Sequence, residues 1–474
     1  MSSTEFRQAG HELIDWIADY LEQGVQQYPV RSTVQPGAVR QAIEAGCPGP
    51  QDLPETWDAV WADVQQHVLT GVTHWQSPRF FAYFPANVSY PAILGELLSA
   101  GLGVNGMMWA TSPAATELET LVLDSLVDLM GLPQHFKGAG VIQDTASSAS
   151  LCAVLCAREQ TLDWDGNEIG LARAADQGRL MVYVSDQAHS SIEKAVKIAG
   201  LGRESVRIVP SDTQTFAMDA TALSRMVADD LAAGRKPAMV CATLGTTSSL
   251  AIDPIAEIGR VCQEHGIWFH VDGAMAGSAL ICPEFRHLAD GLDLADSYCF
   301  NPHKWLFTNF DCDVFYVRQP ERLIRTLTIM PEYLKTAHTD DVINYRDWHV
   351  PLGRRFRSLK LWFVLRLFGV SELQRRLRNH IEWASQFAQW VESDDRFELV
   401  TRPSLGLVCF GLKDRTNDEQ EALLNRVNET GRVFLSHTVL SGRYVLRMSI
   451  GQTNTTLEDV KLAWHIITDA AGGS

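Results

Sequence analysis

Apolar positions along this chain repeat with two different periods, and the changes between them outline an architecture. Leu13, Ile14, Ile17 and Leu21 fall on one helical stripe. They follow a Ser2-Ser3-Thr4-Glu5 start that can close a capping box from Ser2 to Glu5. Gly24 and Tyr28-Pro29 end or interrupt that helix, and the Pro- and Gly-rich stretch 36–54 predicts an irregular connector. In the middle of the chain, short apolar runs at 180–185, 206–209, 238–243, 267–271, 297–300 and 314–317 predict strands. Helical patterns such as 192–199, 223–233 and 255–265 come between them. This alternation predicts an α/β fold with a largely parallel sheet, whose ligands bind beyond the carboxyl ends of the strands. After about residue 360 a long helical run, 359–391, leads to strand patterns at 397–400, 406–410 and 444–450. The expected division is therefore a helical segment 1–85, a large domain 86–360 and a small α+β domain 361–474. Residues 1–85 carry few strand signals and read as a piece that wraps something else, such as a second subunit.

Composition narrows the function classes. The 474 residues are 46% hydrophobic and 20% charged, ordinary for globular domains. A net charge of −17 argues against nucleic-acid or anionic-membrane partners. The nine cysteines are odd in number and several lie in apolar runs, which suits reduced, buried thiols in a cytoplasmic protein. No basic–apolar leader opens the sequence, and no apolar run reaches the roughly 18 residues of a membrane span. Gly101-Leu102-Gly103-Val104-Asn105-Gly106 matches a dinucleotide-binding pattern but follows a helical run, 93–100, where a strand is required. Cys152 and Cys156 share a helix face without the further ligands a zinc site needs, so no metal is expected.

The candidate chemistry centres on Lys304, in Asn301-Pro302-His303-Lys304-Trp305, just past the predicted strand 297–300. Asp272 ends the preceding strand. A lysine and an acid so placed are what pyridoxal phosphate (PLP) needs: an amine to bind its carbonyl and an anion for its pyridine nitrogen. Asp272 could equally cap the next helix. In Asp144-Thr145-Ala146-Ser147, small hydroxyl residues open a helix whose free N–H groups can hold a phosphate, though a plain cap looks the same. His189, in a loop after strand 180–185, is placed to cover a ring face, or is simply solvated.

With these motifs in hand, the chain resembles the PLP-dependent aromatic-L-amino-acid decarboxylases, members of the group II decarboxylases of fold type I. The likeness runs from His74-Trp75-Gln76-Ser77-Pro78 and Phe81-Ala82-Tyr83-Phe84-Pro85, through Ser112-Pro113-Ala114-Ala115-Thr116-Glu117-Leu118-Glu119, to Pro351-Leu352-Gly353-Arg354-Arg355-Phe356-Arg357. It is most specific in 270–288 and 301–313. The resemblance implies a large domain with a mostly parallel seven-stranded sheet, and a homodimer with its site at the subunit interface. It implies that Lys304 joins PLP covalently, Asp272 pairs with the pyridinium and His189 stacks on the ring. Thr145, Ala146, Ser147 and Asn301 would hold the phosphate, Thr247 would lie near the ring hydroxyl and Ala274 would pack on the other face. Tyr333, in the polar segment Met330-Pro331-Glu332-Tyr333, matches the family's catalytic tyrosine, which returns a proton after CO2 leaves. From residue type alone it is an ordinary surface tyrosine.

In the family that the chain resembles, relatives with Phe at that position tend to form aldehydes, so the resemblance implies that Tyr333 favours the amine. Trp75, Tyr83, Phe84, Pro85, Asn105, Met107, Trp305 and Gly353 are the candidate substrate-pocket residues. Asn105, Met107, Met275 and Ala86 depart from the animal enzymes' pattern, which leaves the choice among tryptophan, 5-hydroxytryptophan, DOPA, tyrosine and phenylalanine open. The rival activities are an aromatic aldehyde synthase, a PLP enzyme of another reaction class, and a decarboxylase of a non-aromatic amino acid. An acidic substrate would need a cationic cluster near the motifs, and none is evident. A binding protein that had only kept the fold would have lost Lys304, Asp272 or His189.

Overall fold

Ser2 caps the first helix as its spacing predicts: its hydroxyl accepts the Glu5 N–H at 3.2 Å, and the Glu5 carboxylate accepts the Ser2 N–H. That helix, α1, spans Ser3–Glu22. The connector expected over 36–54 holds instead a helix, α2, at Ala38–Gly46. Pro36 and Gly37 lie just ahead of it, so these residues bound the helix and do not break it. α3, Trp57–Asp63, starts on the Thr56 hydroxyl. The computed structural model describes residues 1–46, 54–174, 178–329 and 342–472. Contacts divide them into two units, Met1–Pro85 with Gln386–Val400 and Phe410–Ser474, and Ala86–Ser385 with Thr401–Cys409.

The second unit begins with three helices, α4 (Tyr90–Leu102), α5 (Pro113–Met130) and α6 (Ala146–Thr161). Because α4 leads into the glycine-rich run at 101–106, the dinucleotide-binding pattern has no strand before it. The unit is built on a seven-stranded sheet. Its strands are β1 (Gly140–Gln143), β2 (Leu180–Ser185), β3 (Val206–Val209), β4 (Lys236–Thr243), β5 (Trp268–Asp272), β6 (Ser297–Phe300) and β7 (Asp313–Val317). The order is β1-β7-β6-β5-β4-β2-β3. β7 runs antiparallel to both neighbours and the remaining pairs are parallel. Six of these strands lie where the apolar runs predict them. β1 does not, because its four residues sit inside what reads as a glycine-rich entry to α6.

One face of the sheet packs under α6. Val141, Met239, Trp268, Cys299, Phe315 and Val317 meet Ala149, Cys152, Ala153 and Cys156 there. The small side chains of α6 allow that close approach. Alternate strand residues share a face, so Gln143, Asp272 and Asp313 extend this packed face to the carboxyl edge of the sheet. Asp313 reaches that edge only because β7 is reversed.

The smaller sheet is antiparallel, with order β10-β11-β9-β8. Its strands are β8 (Phe397–Leu399), β9 (Leu407–Leu412), β10 (Ser436–Leu440) and β11 (Arg443–Ser449). Residues 80–82 attach beside it: Phe81 donates its N–H to Phe434 and accepts one from Ser449, both at 2.9 Å. The N-terminal segment thus finds its long-range partners in the last quarter of the chain.

Candidate active site

Lys304 sits on a single helical turn, Pro302–Trp305, directly after β6. The turn is tied down at three points. Asn301 donates its N–H to the Ala274 carbonyl at 3.0 Å, and Lys304 donates its own to Asn301 at 2.9 Å. The Lys304 carbonyl accepts Nδ2 of Asn87 at 2.7 Å. Burial pulls the Lys304 pKa down from the ordinary lysine range, and the negative charge of Asp272 opposes the fall.

Asp272 is 4% exposed at the end of β5. Its Oδ1 accepts the Ala274 N–H at 2.9 Å, which aims the carboxyl over the next turn. Gly273 makes that turn possible: a Cβ there would lie 2.8 Å from the Tyr298 ring and 3.1 Å from the Cys299 carbonyl. Beneath it, His270 is fully buried, bonded to Ser297 Oγ at 2.9 Å, and desolvation drives its pKa to about 4. It is therefore a neutral neighbour that does not compete for the Asp272 charge.

His189 follows β2 and is exposed. The Ser191 N–H donates to its Nδ1 at 3.2 Å, so in the neutral ring the proton is on Nε2. Desolvation lowers its pKa, Asp272 opposes this and Lys304 reinforces it. All three residues thus share one electrostatic neighbourhood at the carboxyl edge, where the fold rule puts a ligand.

The phosphate-side candidates meet there too. Thr145 takes the N-cap position of α6, yet its hydroxyl makes no capping bond. Ser148 and Ala149 donate to the Thr145 carbonyl at 3.0 and 3.2 Å. This leaves the Ala146 and Ser147 N–H groups at the positive end of the helix without intrahelical acceptors. Asn301 is 1% exposed and its Oδ1 is buried without a partner among the described residues. Thr247 and Ala274 are half-buried in the turns that follow β4 and β5. A half-buried lysine, a fixed carboxyl and free helix-end donors are the groups that PLP would engage.

The pocket candidates fall in both units. In the first, Trp75 stacks on Phe80 at 4.4 Å and on Tyr83 at 5.7 Å, with Phe434 set edge-on to Phe80 and Tyr83. The Arg447 guanidinium lies over Phe84 at 5.6 Å, and Pro85 is buried. In the second, Asn105 Oδ1 accepts the Arg354 N–H at 2.9 Å, and a Cβ on Gly353 would stand 3.7 Å from Asn105 Nδ2. Met107 accepts the Arg346 N–H at 2.8 Å. Trp305 differs from the expectation of a pocket wall. It is 0% exposed, with its indole N–H given to His380 at 3.0 Å, and is a core side chain here. Tyr333 lies outside the described residues.

Two features escape sequence reading. Asp313 is a wholly buried carboxyl near Asp272 and Lys304; a polar residue opening an apolar run was the available signal. Glu119 and Arg354 form a buried ion pair with contacts at 2.6 and 3.0 Å. Both lie in motifs that carry the family resemblance, but nothing in their spacing announces that they meet.

Comparison with known proteins places the chain in a family. The model of the pyridoxal-dependent decarboxylase conserved domain matches residues 36–413. Tyrosine decarboxylase 2 of Narcissus pseudonarcissus is 45% identical over 99% of this chain and 95% of its own length. Phenylacetaldehyde synthase of Arabidopsis thaliana is 46% identical over 99% and 96%. Among solved structures, Catharanthus roseus tryptophan decarboxylase in complex with L-tryptophan superposes with a TM-score of 0.93 at 42% identity, covering 100% of this chain and 99% of that one.

Proposed function

Since this chain belongs to the pyridoxal-dependent decarboxylase family, we propose that it removes CO2 from aromatic L-amino acids and releases the corresponding amines. It is a PLP-dependent amino-acid decarboxylase. The observation that carries the site assignment is the half-buried, desolvated Lys304 in the field of the Asp272 carboxyl at the carboxyl edge of the sheet. When bound, PLP withdraws electrons from the substrate Cα, so that a bond at that carbon can break without a free carbanion.

The protein decides which bond breaks and where the returning proton goes. Lys304 supplies the amine that holds the cofactor, and Asp272 keeps a proton on the pyridine nitrogen. His189, neutral with its proton on Nε2, would cover one ring face, and Ala274 would border the other. Ala146 and Ser147 N–H groups, with Thr145 and Asn301, bind the phosphate and fix the ring's orientation. Thr247 would bond the ring hydroxyl. Trp75, Tyr83, Phe84 and Pro85 supply aromatic and apolar surface, and Asn105, Met107 and Gly353 set the size of the substrate side chain. Tyr333 returns a proton to Cα after CO2 departs.

We read the working form as a homodimer, with residues 1–85 wrapping the second copy, and the compartment as the cytoplasm. The eight described cysteines are all buried and form no disulfide among the described residues, which suits a reducing compartment. No described helix is long and apolar enough to cross a membrane.

The aldehyde-forming reading has a specific relative behind it, and Tyr333 is what separates the two. Purified enzyme given tryptophan, 5-hydroxytryptophan, DOPA, tyrosine and phenylalanine should yield amine and CO2 in equal amounts, without peroxide. Tyr333→Phe should lower amine formation about a hundredfold, the scale of a lost proton donor, and release aldehyde, ammonia and peroxide. Amine alone at the parental rate from that variant would remove Tyr333 from the mechanism. Aldehyde from the parental enzyme would replace the decarboxylase reading itself.

A further inference from the structure

Asp313 is a wholly buried carboxyl group to which no described residue donates a hydrogen bond. It opens β7, the reversed strand, and so stands at the same edge of the sheet as Asp272. Its side chain belongs to the α6 face, because Phe315 and Val317, its alternates along the strand, pack there. It is 0% exposed, and neither carboxyl oxygen has a hydrogen-bond partner among the described residues. The charged and titratable groups that interact with it are Asp272 from β5, Tyr298 and Cys299 from β6, Asp144 after β1, Cys152 from α6, the adjacent Cys312 and Lys304. Two of these are carboxyls and one is a cation. An ionised carboxylate with no donors in such a place takes up a proton instead. Burial foremost, then Asp272 and Asp144, raise the Asp313 pKa well above the carboxylate range, with Lys304 opposing.

A protonated carboxyl is a hydrogen-bond donor, and the adjacent chain presents an acceptor that lacks one. Phe300 pairs with Val314 in the antiparallel β6–β7 ladder. The next step outward sets Asn301 opposite Asp313. Asn301 Oδ1 is buried and unpartnered, like both oxygens of Asp313. We propose that Asp313 is a positioning residue whose carboxylic O–H donates to Asn301 Oδ1, leaving the Asn301 amide N–H groups for the phosphate of PLP. One orphaned acceptor and one buried acid thereby satisfy each other. The second half of this statement rests on Asn301 being a phosphate-holding residue.

Infrared difference spectroscopy of the PLP-loaded protein against Asp313→Asn tests the first half. A carbonyl stretch of a protonated carboxylic acid should be present in the parent and absent from the variant. Titration of the apoenzymes with PLP, followed by absorbance, tests the second. Asp313→Asn keeps a neutral donor and should hold the dissociation constant within about threefold. Asp313→Ala should raise it about tenfold, the effect of one buried hydrogen bond. Absence of the carboxylic band would overturn the proposal, as would Asp313→Asn binding PLP as weakly as Asp313→Ala, since both would mean an ionised Asp313. Parental affinity in Asp313→Ala would overturn it too. Asn301→Ala with unchanged PLP affinity would instead remove Asn301 from the phosphate site while the carboxylic band persists, so the two failures are distinguishable.

Discussion

A lysine amine attacks a carbonyl only when it is neutral, so the environment of Lys304 sets the pH at which this enzyme captures its cofactor. Burial lowers the Lys304 pKa and Asp272 holds it up. The apoenzyme's rate of PLP capture should therefore rise with pH and level off below about 10.4, the value for a free lysine. Asp272→Asn removes the opposing charge, so the neutral amine becomes more favoured and the midpoint should move to lower pH. Stopped-flow absorbance across a pH series measures both. A midpoint that rises or stays fixed in Asp272→Asn would mean that the Asp272 charge does not act on the amine. The same residue scale explains why Lys304 and Asp272 were legible in the sequence. Each directly follows or ends an apolar strand, and strand ends in α/β sheets are ligand positions. Asp313 was not legible, because its place depends on β7 running against its neighbours, and strand direction leaves no mark on four or five apolar residues.

At the scale of elements, the weak point of the phosphate side is β1, a four-residue strand at the edge of the sheet. An edge strand has unpaired backbone groups on one side. Here side chains supply the missing partners: the Ile142 N–H donates to Glu119 Oε1 at 2.7 Å, and its carbonyl accepts from Arg354 at 2.6 Å. The guanidinium also lies 4.5 Å over the Tyr345 ring. Because β1 runs straight into the start of α6, this clamp steadies the helix end proposed to hold phosphate. Arg354→Met leaves the Glu119 charge buried alone and should cost about 3–5 kcal/mol of stability. Glu119→Gln with Arg354→Met removes the charge as well and should recover most of that loss, as chemical denaturation would measure. An equal loss in the double variant would mean that the bonds to Ile142, and not the unpaired charge, dominate. The clamp also shows where element prediction ends. Helix α2 was hidden by Pro36 and Gly37 at its start, and β1 by the glycines ahead of it. Both are held by contacts that no local period records.

At the scale of the whole molecule, the described surface carries a stripe that a lone chain has little reason to show. Tyr90, Leu94, Leu97, Leu98 and Leu102 are all exposed on α4, each by 45% or more. Clustered apolar exposure of this kind marks an interaction surface. A second copy of the same chain is the occupant that the homodimer reading supplies, and a twofold axis would let one helix face meet itself. Asn105 and Met107 come immediately after α4, so an interface on this helix would carry these pocket candidates toward the partner's site. The exposed residues 97 and 98 are the place to break it. Leu97→Glu with Leu98→Glu sets four like charges across a twofold contact and should shift the protein toward its monomer mass of 52.6 kDa in light scattering. Decarboxylation should fall in step with dissociation and return as protein concentration rises, because a site completed by a partner obeys mass action. A variant that is monomeric and fully active at every concentration would mean that each chain carries a complete site of its own. A variant that remains dimeric would place the interface away from α4.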